Sequence, residues 1–405
     1  MPHPTDRVHE PLTDQLLDGA FPFNDPWPLY AALRAAGPLS WNEPGGWWVA
    51  PHHAEVTAVG GDAERFCSGR GILTFEVGVE YPSPPTMMHT DPPAHTRYRS
   101  LVQPAFGRRV VRQLGETVHE AARTLVARLS LDEPVEIVSE LAAILPVQVI
   151  GMLLGIPEDD WDRVWAWSEA TIPGTETHND PERRAQLRAE MSGELARLVA
   201  EARQQPLRGD VISQLVHADL DGDRLSDAEL AMFLDQLLVA GNETTRNAIS
   251  GGLVAFADHP GEWERLVATP ALVPAATEEI LRWTTPVIGF MRTATVDLEL
   301  GGVPLVAGDP VLMLYASANR DEREFGADAD RFRIDRSPNH HVAFGFGPHF
   351  CLGAALARLE IVAVLEALLD ARVISVTSAG TPTRSPSTII AGVTAAPLVL
   401  HTTRV

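Results

Sequence analysis

Two cysteines in 405 residues are too few for a disulfide framework, and that scarcity suits a reducing compartment. No stretch approaches the roughly 18 consecutive apolar residues that a membrane span needs. The first residues, MPHPTDRVHEPLTD, have neither the basic start nor the apolar core of a secretion signal. The expectation is therefore a cytoplasmic protein without a membrane anchor. Positive charge is also in short supply. Lys and Arg number 32 against 54 Asp and Glu, a formal net charge of −22. That balance excludes the global positive field by which phosphate backbones are gathered, so no nucleic-acid partner is expected. Internal repeats and low-complexity linkers are absent, and the expected organisation is a single domain over residues 1–405.

What is present is mostly helical. Apolar residues make up 45% of the chain, ample for a large core. Helical patterns run over 110–129 and 180–203. β signals are few: two short strands around Pro-Gly-Gly within 37–51, a hairpin within 296–316 turning at Gly301-Gly302, and a last element in the final forty residues. The fold class read from this is mainly α with small β-sheets (α+β). The segment 171–184, TIPGTETHNDPERR, reads as a loop between two helices.

The longest helix opens at Ser226, with Glu229 completing an S-x-x-E capping box, and continues to His259-Pro260. It spans about 48 Å at 1.5 Å per residue. Its middle, AGNETT (240–245), departs from an apolar pattern. Gly241 costs about 1 kcal/mol relative to alanine. Thr244 is placed to turn its hydroxyl to the carbonyl of Ala240. One reading is a kinked helix whose polar residues are satisfied by neighbours; the other is a functional acid–hydroxyl pair at Glu243-Thr244.

A cysteine also stands at a helix entrance, in FGFGPHFCLG (344–353), just before the apolar run AALARLEIVAVLEALL. Unsatisfied N–H groups and the macrodipole favour a thiolate there. Gly345 and Gly347 permit a tight backbone, and Gly353 a close approach. One cysteine excludes a four-cysteine zinc or iron–sulfur site. A nucleophile assisted by His349, a thiolate ligand to heme iron and an inert buried thiol all remain. Cys67, in RFCSGR, suits the inert reading.

The segment 344–353 matches, position for position, the heme-ligand signature of the cytochrome P450 family: Phe, two residues, Gly, one, His or Arg, one, Cys, one, Gly. Four further motifs follow the family's order and resemble it over nearly the whole chain. These are HTRYR with His95 and Arg99, AGNETT, EEILR with Glu279 and Arg282, and ANRDEREFGADADRF before the cysteine. The resemblance implies the cytochrome P450 fold, a triangular helical prism with heme b between the long central helix and the Cys-loop helix. Cys351 would be the axial thiolate and metal ligand, with Phe344 shielding its sulfur. Gly345 and Gly353 would let backbone and porphyrin approach. His95, Arg99, Arg292 and His349 would hold the heme propionates. Glu279, Arg282 and Arg331 would form a structural ion network. Two departures bear on its third member: Ala329 stands where proline is frequent in the family, and Arg333 where aspartate is.

The implied activity is a monooxygenase that inserts one oxygen atom from O2 into a hydrophobic small molecule of the sterol, terpenoid or branched-lipid class. Gly241 would open a slot for oxygen beside Ala240, Thr244 would donate a hydrogen bond to it, and Glu243 would help feed protons. Electrons would come from a ferredoxin and a ferredoxin reductase, with NAD(P)H entering only through them. Arg97, Arg108, Arg109, Arg112 and Arg358 are candidate docking cations for that partner. Leu237, Val287, Ile288, Phe290, Ile389 and Ile390 are the candidate substrate-pocket residues, with the loop 71–88 above them. The alternatives are a tailoring oxidase of polyketide or other natural-product biosynthesis, a peroxide-driven peroxygenase, and a ligand-binding heme-thiolate sensor. Peroxygenases of the family replace the acid–threonine pair, which this chain keeps.

Overall fold

The computed structural model describes residues 7–18, 25–81, 85–171, 179–384 and 387–403, which gather into two compact units. The first is made of Met1–Thr96, Glu278–Cys351 and Arg384–Gly392. It contains helices α1 (Trp27–Ala36) and α2 (His53–Gly61) and a five-stranded sheet. The sheet runs in the order β1 (Ser40–Asn42), β2 (Trp47–Ala50), Pro310–Met313, Phe290–Ala294 and β3 (Phe66–Cys67). β2 and Pro310–Met313 are parallel, and the other pairs are antiparallel. Both faces are covered, as the alternation of the strands requires. Trp48, Val311 and Met313 enter one apolar cluster with Trp41 and Tyr315. Trp47, Val49 and Leu312 enter the other with Leu33 and Met291. Fully burying each large side chain stabilises by about 1.5–3 kcal/mol. The expected turn at Gly301-Gly302 joins Leu298–Leu300 to Val303–Leu305. Its glycines have φ of +59° and +82°, the two successive positive values that a two-residue hairpin turn of this hand demands.

The second unit is made of Arg97–Thr277, Leu352–Thr383 and Val393–Val405. Helix α3 (Ala94–Val102) crosses from the first unit's residues into it. It contains α4 (Arg108–Val126), α5 (Ile144–Leu154), α6 (Trp161–Thr171), the helix Pro181–Arg203, the long helix Asp227–Asp258 and the helix Ala354–Asp370. The final residues form the expected β element: Pro397–Thr402 lies between Pro134–Glu136 and Val373–Ser378, antiparallel to both. The long helix begins as its sequence dictates. Ser226 Oγ accepts from the Glu229 N–H, and a Glu229 carboxylate oxygen accepts from the Ser226 N–H at 2.8 Å. It packs against α5, α6 and Ala354–Asp370.

Of the expected loop 171–184, residues 172–178 lie outside the described residues. Thr171 closes α6, and Asp180 caps the helix that follows by accepting from the N–H groups of Glu182 and Arg183. The loop 71–88 is described except for 82–84. Among the described residues no helix is long and apolar enough to cross a membrane.

Candidate functional site

In the first unit the cysteine loop is folded back on itself. The Cys351 N–H donates to the Phe344 carbonyl at 2.9 Å, which closes the eight-residue segment, and Cys351 is exposed. Gly345 and Gly347 have φ of +71° and +74°, so both are in the region that favours glycine. A Cβ on Gly347 would also stand 2.2 Å from the Gly60 carbonyl oxygen, because the loop rests on the end of α2. Phe344 lies beside His341 and Phe350, with ring centroids 5.9 and 6.1 Å away. Gly353 has φ of −83° and serves as N-cap of the following helix.

Around this loop the same unit assembles imidazole and guanidinium groups. The rings of His95 and His349 are 4.0 Å apart, and His95 is buried. His349 Nε2 is hydrogen-bonded to Ser68 Oγ at 3.1 Å. Asp91 holds Ser68 in place, accepting from the N–H groups of Ser68 and Gly69 at 2.7 and 3.0 Å. Ser68 and Asp91 were not anticipated; a serine beside Cys67 and an aspartate before two prolines carry no chemistry until the chain brings them to His349. Arg292 is only 5% exposed. It donates to the Met291 carbonyl at 2.7 Å, and among the described residues no carboxylate lies within 4.0 Å of its guanidinium. Burial pulls its proton affinity down, against the opposing fields of Tyr315, Asp91 and Cys67. A buried cation in this state fits an anionic group that the polypeptide itself does not supply. Arg99 lies one turn beyond His95 on α3.

The ion network differs from the expected one in a single member. Arg282 Nε and Nη2 each donate at 2.8 Å to the Glu279 carboxylate, and both residues are fully buried. The third guanidinium is that of Arg336, with Nε 3.2 Å from Glu279 Oε2. Arg331 contributes only its carbonyl, which accepts from Arg282 and Arg336 at 2.9 and 3.0 Å. The reason is how the segment turns: Phe332, Ile334 and Arg336 are buried, whereas Arg331 and Asp335 are exposed and Arg333 is intermediate, and the Arg336 N–H closes the turn on the Arg333 carbonyl at 3.1 Å.

The candidate pocket segments do meet within this unit. The Ile288 N–H donates to the Ile389 carbonyl at 2.7 Å, and Val287 bridges Ile390. Val287, Phe290, Ile389 and Ile390 are half-buried. Ile288 is not a pocket residue: it is 2% exposed and lies in the core cluster with Leu33, Met291 and Leu314. The alternation that leaves Val287 partly open turns Ile288 inward.

In the second unit the long helix carries the other candidates. Leu237, Ala240, Gly241 and Thr244 follow one another at helical spacing. Leu237, Gly241 and Thr244 are intermediate and Ala240 is exposed, although Leu234, Leu238, Thr245 and Ala248 around them are buried. Ala240, Gly241 and Thr244 thus form a stripe of small residues left partly open between buried neighbours. Thr244 Oγ1 donates to the Ala240 carbonyl at 2.9 Å, the expected back-bond. Gly241 has a packing reason of its own, since a Cβ there would lie 2.6 Å from Ile150 Cδ1 of α5. Burial pushes the Glu243 carboxyl up to about 7, with Arg246 lowering it and Glu169 raising it further. An acid with that proton affinity both gives and takes protons near neutral pH.

The expected docking cations are only partly available. Arg97 is engaged by acids, with Nε 2.6 Å from Asp223 and Nη1 2.8 Å from Glu229. Arg112 lines a groove of about 510 Å³ between α4 and the helix Ala354–Asp370, with Glu116, His119, Arg123 and Leu359. Arg109 is exposed, Arg358 donates to the Ala354 carbonyl, and the Arg108 side chain lies outside the described residues.

Comparison with known proteins agrees with the signature. The cytochrome P450 family model matches residues 176–398. The steroid C26-monooxygenase of Mycobacterium tuberculosis is 36% identical over 362 residues, covering 84% of this chain and 82% of that protein. The methyl-branched lipid omega-hydroxylase of the same organism is 38% identical over 377 residues, covering 88% and 85%. Among solved structures, a Mycobacterium marinum cytochrome P450 in complex with pseudoionone superposes with a TM-score of 0.85 at 33% identity. It covers 97% of this chain and 99% of that one.

Proposed function

We propose, from the premise that the chain belongs to the cytochrome P450 family and is a monooxygenase, that it oxidises a hydrophobic substrate of the sterol, terpenoid or branched-lipid class. The reading of its own residues starts from heme b, and the donor set fits that group. A thiol on a glycine-folded loop suits iron, a buried cation without a carboxylate suits a propionate, and the open stripe of the long helix suits a porphyrin face. Bound through a thiolate and supplied with two electrons and two protons, heme activates O2 so that one oxygen atom enters a substrate C–H bond and the other leaves as water.

Cys351 would ligate the iron as thiolate, with Phe344 keeping water from the sulfur. Arg292, His349, His95 and Arg99 would hold the two propionates by charge-assisted hydrogen bonds. Ser68, itself fixed by Asp91, would orient His349. Thr244 would exchange its hydrogen bond to Ala240 for one toward the oxygen being reduced, and Glu243 would supply the proton. Leu237, Val287, Phe290, Ile389 and Ile390 would offer apolar surface to the substrate. The electron donors would be a ferredoxin and its NAD(P)H-dependent reductase, approaching a face to which Arg109, Arg112 and Arg358 contribute.

The observation that carries the oxygen-dependent reading is Glu243 beside Thr244, a half-buried carboxyl with a proton affinity raised to about 7 next to a hydroxyl at a helix position otherwise suited to an apolar residue. The substrate class is supported by the apolar pocket segments and by two relatives named for steroid and branched-lipid oxidation. The test is an optical titration of the purified ferric protein with sterols, terpenes, branched fatty acids and macrolide polyketides. A low-to-high-spin shift with one of the first three classes, followed by product formation with a ferredoxin and its reductase, is the expected result. A shift confined to the polyketides would replace the substrate assignment with natural-product tailoring. Turnover supported by hydrogen peroxide and not by reductant would overturn the oxygen-dependent reading.

A further inference from the structure

We propose that Glu169 of α6 is a positioning residue that decides, through Arg246, whether Glu243 carries a proton. The inference rests on reading Glu243 as the proton carrier of the reaction, but its geometry stands apart from that reading. A polar seam joins α6 to the long helix. Asn242 Nδ2 donates to Ser168 Oγ, and one turn further on Arg246 Nη1 lies 3.6 Å from Glu169 Oε1. Glu243 stands between these two contacts, three residues before Arg246 and so on the same helix face. Arg246 is 9% exposed, so its charge is weakly screened.

Among the described residues the cluster therefore holds two carboxylates and one guanidinium, and one cation fully compensates one anion. Arg246 is within ion-pair distance of Glu169 and not of Glu243. Among the described residues, Arg246 on the same helix and Glu169 on α6 are the charged groups whose fields reach Glu243. With α6 in place, Glu169 takes the guanidinium, and Glu243 retains its proton as the less costly state in a desolvated position. Burial also raises the proton affinity of Glu169 itself, with Arg246 opposing, which places both acids in one coupled titration. Among the described residues Arg246 Nε has no hydrogen-bond partner. A donor is thus left over with which the guanidinium turns to Glu243 whenever Glu169 is withdrawn or neutralised. The proton on Glu243 is then released. Docking of α6 on the long helix and the protonation of Glu243 are in this way one equilibrium.

The experiment titrates Glu243 in the heme-loaded protein by the infrared stretch of its protonated carboxyl, assigned by loss of the band in Glu243→Gln. Glu169→Gln removes a negative charge and releases Arg246, and both effects favour the ionised form. The midpoint is expected to fall by about one pH unit, while Glu169→Asp, which keeps the charge, stays near wild type. Arg246→Gln removes the nearby cation and is expected to raise the midpoint. A midpoint that stays or rises in Glu169→Gln overturns the proposal, and so does one that stays or falls in Arg246→Gln. The opposite signs keep it refutable should either variant fail to fold. A second readout separates it from the reading on which it rests. Should the midpoints move as expected while Glu243→Gln keeps the wild-type ratio of product to NAD(P)H consumed, the positioning role stands and the proton-carrier role falls.

Discussion

Replacing Glu279 by glutamine removes one negative charge from a place that water does not reach. Glu279 and Arg282 are fully buried, and Arg336 is 6% exposed. The carboxylate accepts two 2.8 Å bonds from Arg282, a 3.2 Å bond from Arg336, the Arg333 N–H at 2.8 Å and the Asn339 amide at 3.1 Å. A glutamine keeps one oxygen for these donors and turns an NH2 group against a guanidinium. Arg336 then keeps Asp328, 3.2 Å away, and Arg282 keeps no carboxylate among the described residues. Breaking a buried ion pair from one side costs about 3–5 kcal/mol. The lower end applies here, because Arg282 keeps the carbonyls of Asn319, Ala329 and Arg331. A loss of about 3 kcal/mol is a large share of the 5–15 kcal/mol by which folded domains are typically stable. Denaturant unfolding of the heme-loaded protein, followed by far-UV ellipticity and heme absorbance, measures it. The internal control is Glu278→Gln on the same helix, where a partly exposed carboxylate meets His341 at 3.0 Å and the expected loss is about 0–1 kcal/mol. Equal midpoints for the two variants would refute the view that Glu279 neutralises buried arginines.

Two further substitutions test other joints. Gly241→Ala places a methyl group 2.6 Å from Ile150 Cδ1, so stability should fall by about 1–2 kcal/mol despite the better helix propensity of alanine. Adding Ile150→Val should restore most of it, and a double-mutant cycle showing no coupling would remove the packing explanation. Asp321 is buried with His52 Nδ1 3.1 Å away. Burial raises its proton affinity, but bonds from His52 and from the His53 and Arg323 N–H groups outweigh it and hold the carboxyl at about 2. Its folded pKa is below the ordinary 3.8, so its contribution of about 2 kcal/mol is complete above about pH 4 and is lost as pH falls through 2. Acid-induced unfolding of Asp321→Asn should lack that part of the decline, and an unchanged pH profile would refute the assignment.

The features legible in the sequence were those in which a local rule and the tertiary environment agree. The capping box at Ser226 needs only neighbours three residues apart. The hairpin at Gly301-Gly302 needs only two residues tolerant of positive φ, and the cysteine loop closes on itself. The features missed depend on facing. Arg331 and Arg336 are both arginines in the same segment, and the choice between them is made by a turn, closed by the Arg336 N–H on the Arg333 carbonyl, that brings Arg336 inward and leaves Arg331 exposed. Ile288 and Val287 are equally apolar, and the stretch leading into the strand Phe290–Ala294 sends one inward and leaves the other partly open. Arg97 reads as a surface cation until Asp223 and Glu229, more than a hundred residues on, close around it.

The same dependence on facing explains why Arg292 becomes informative only in three dimensions. The buried arginines of the described residues are Arg34, Arg246, Arg282, Arg292, Arg320 and Arg336. Arg34 meets Glu322, Arg246 meets Glu169, and Arg282 and Arg336 meet Glu279. Arg320 has no carboxylate, but its guanidinium lies 3.8 and 3.4 Å from the ring centroids of Trp27 and Trp283, a contact that repays part of the desolvation cost. Among the described residues Arg292 has neither a carboxylate nor an aromatic face, only the Met291 carbonyl. Leaving a cation in that state is costly, and the expense is concentrated at one of 32 basic residues, in the unit that also presents Cys351 and the paired imidazoles. An anion brought in from outside the polypeptide would account for that placement, and under the proposed function a heme propionate would have the charge and the oxygens to do so.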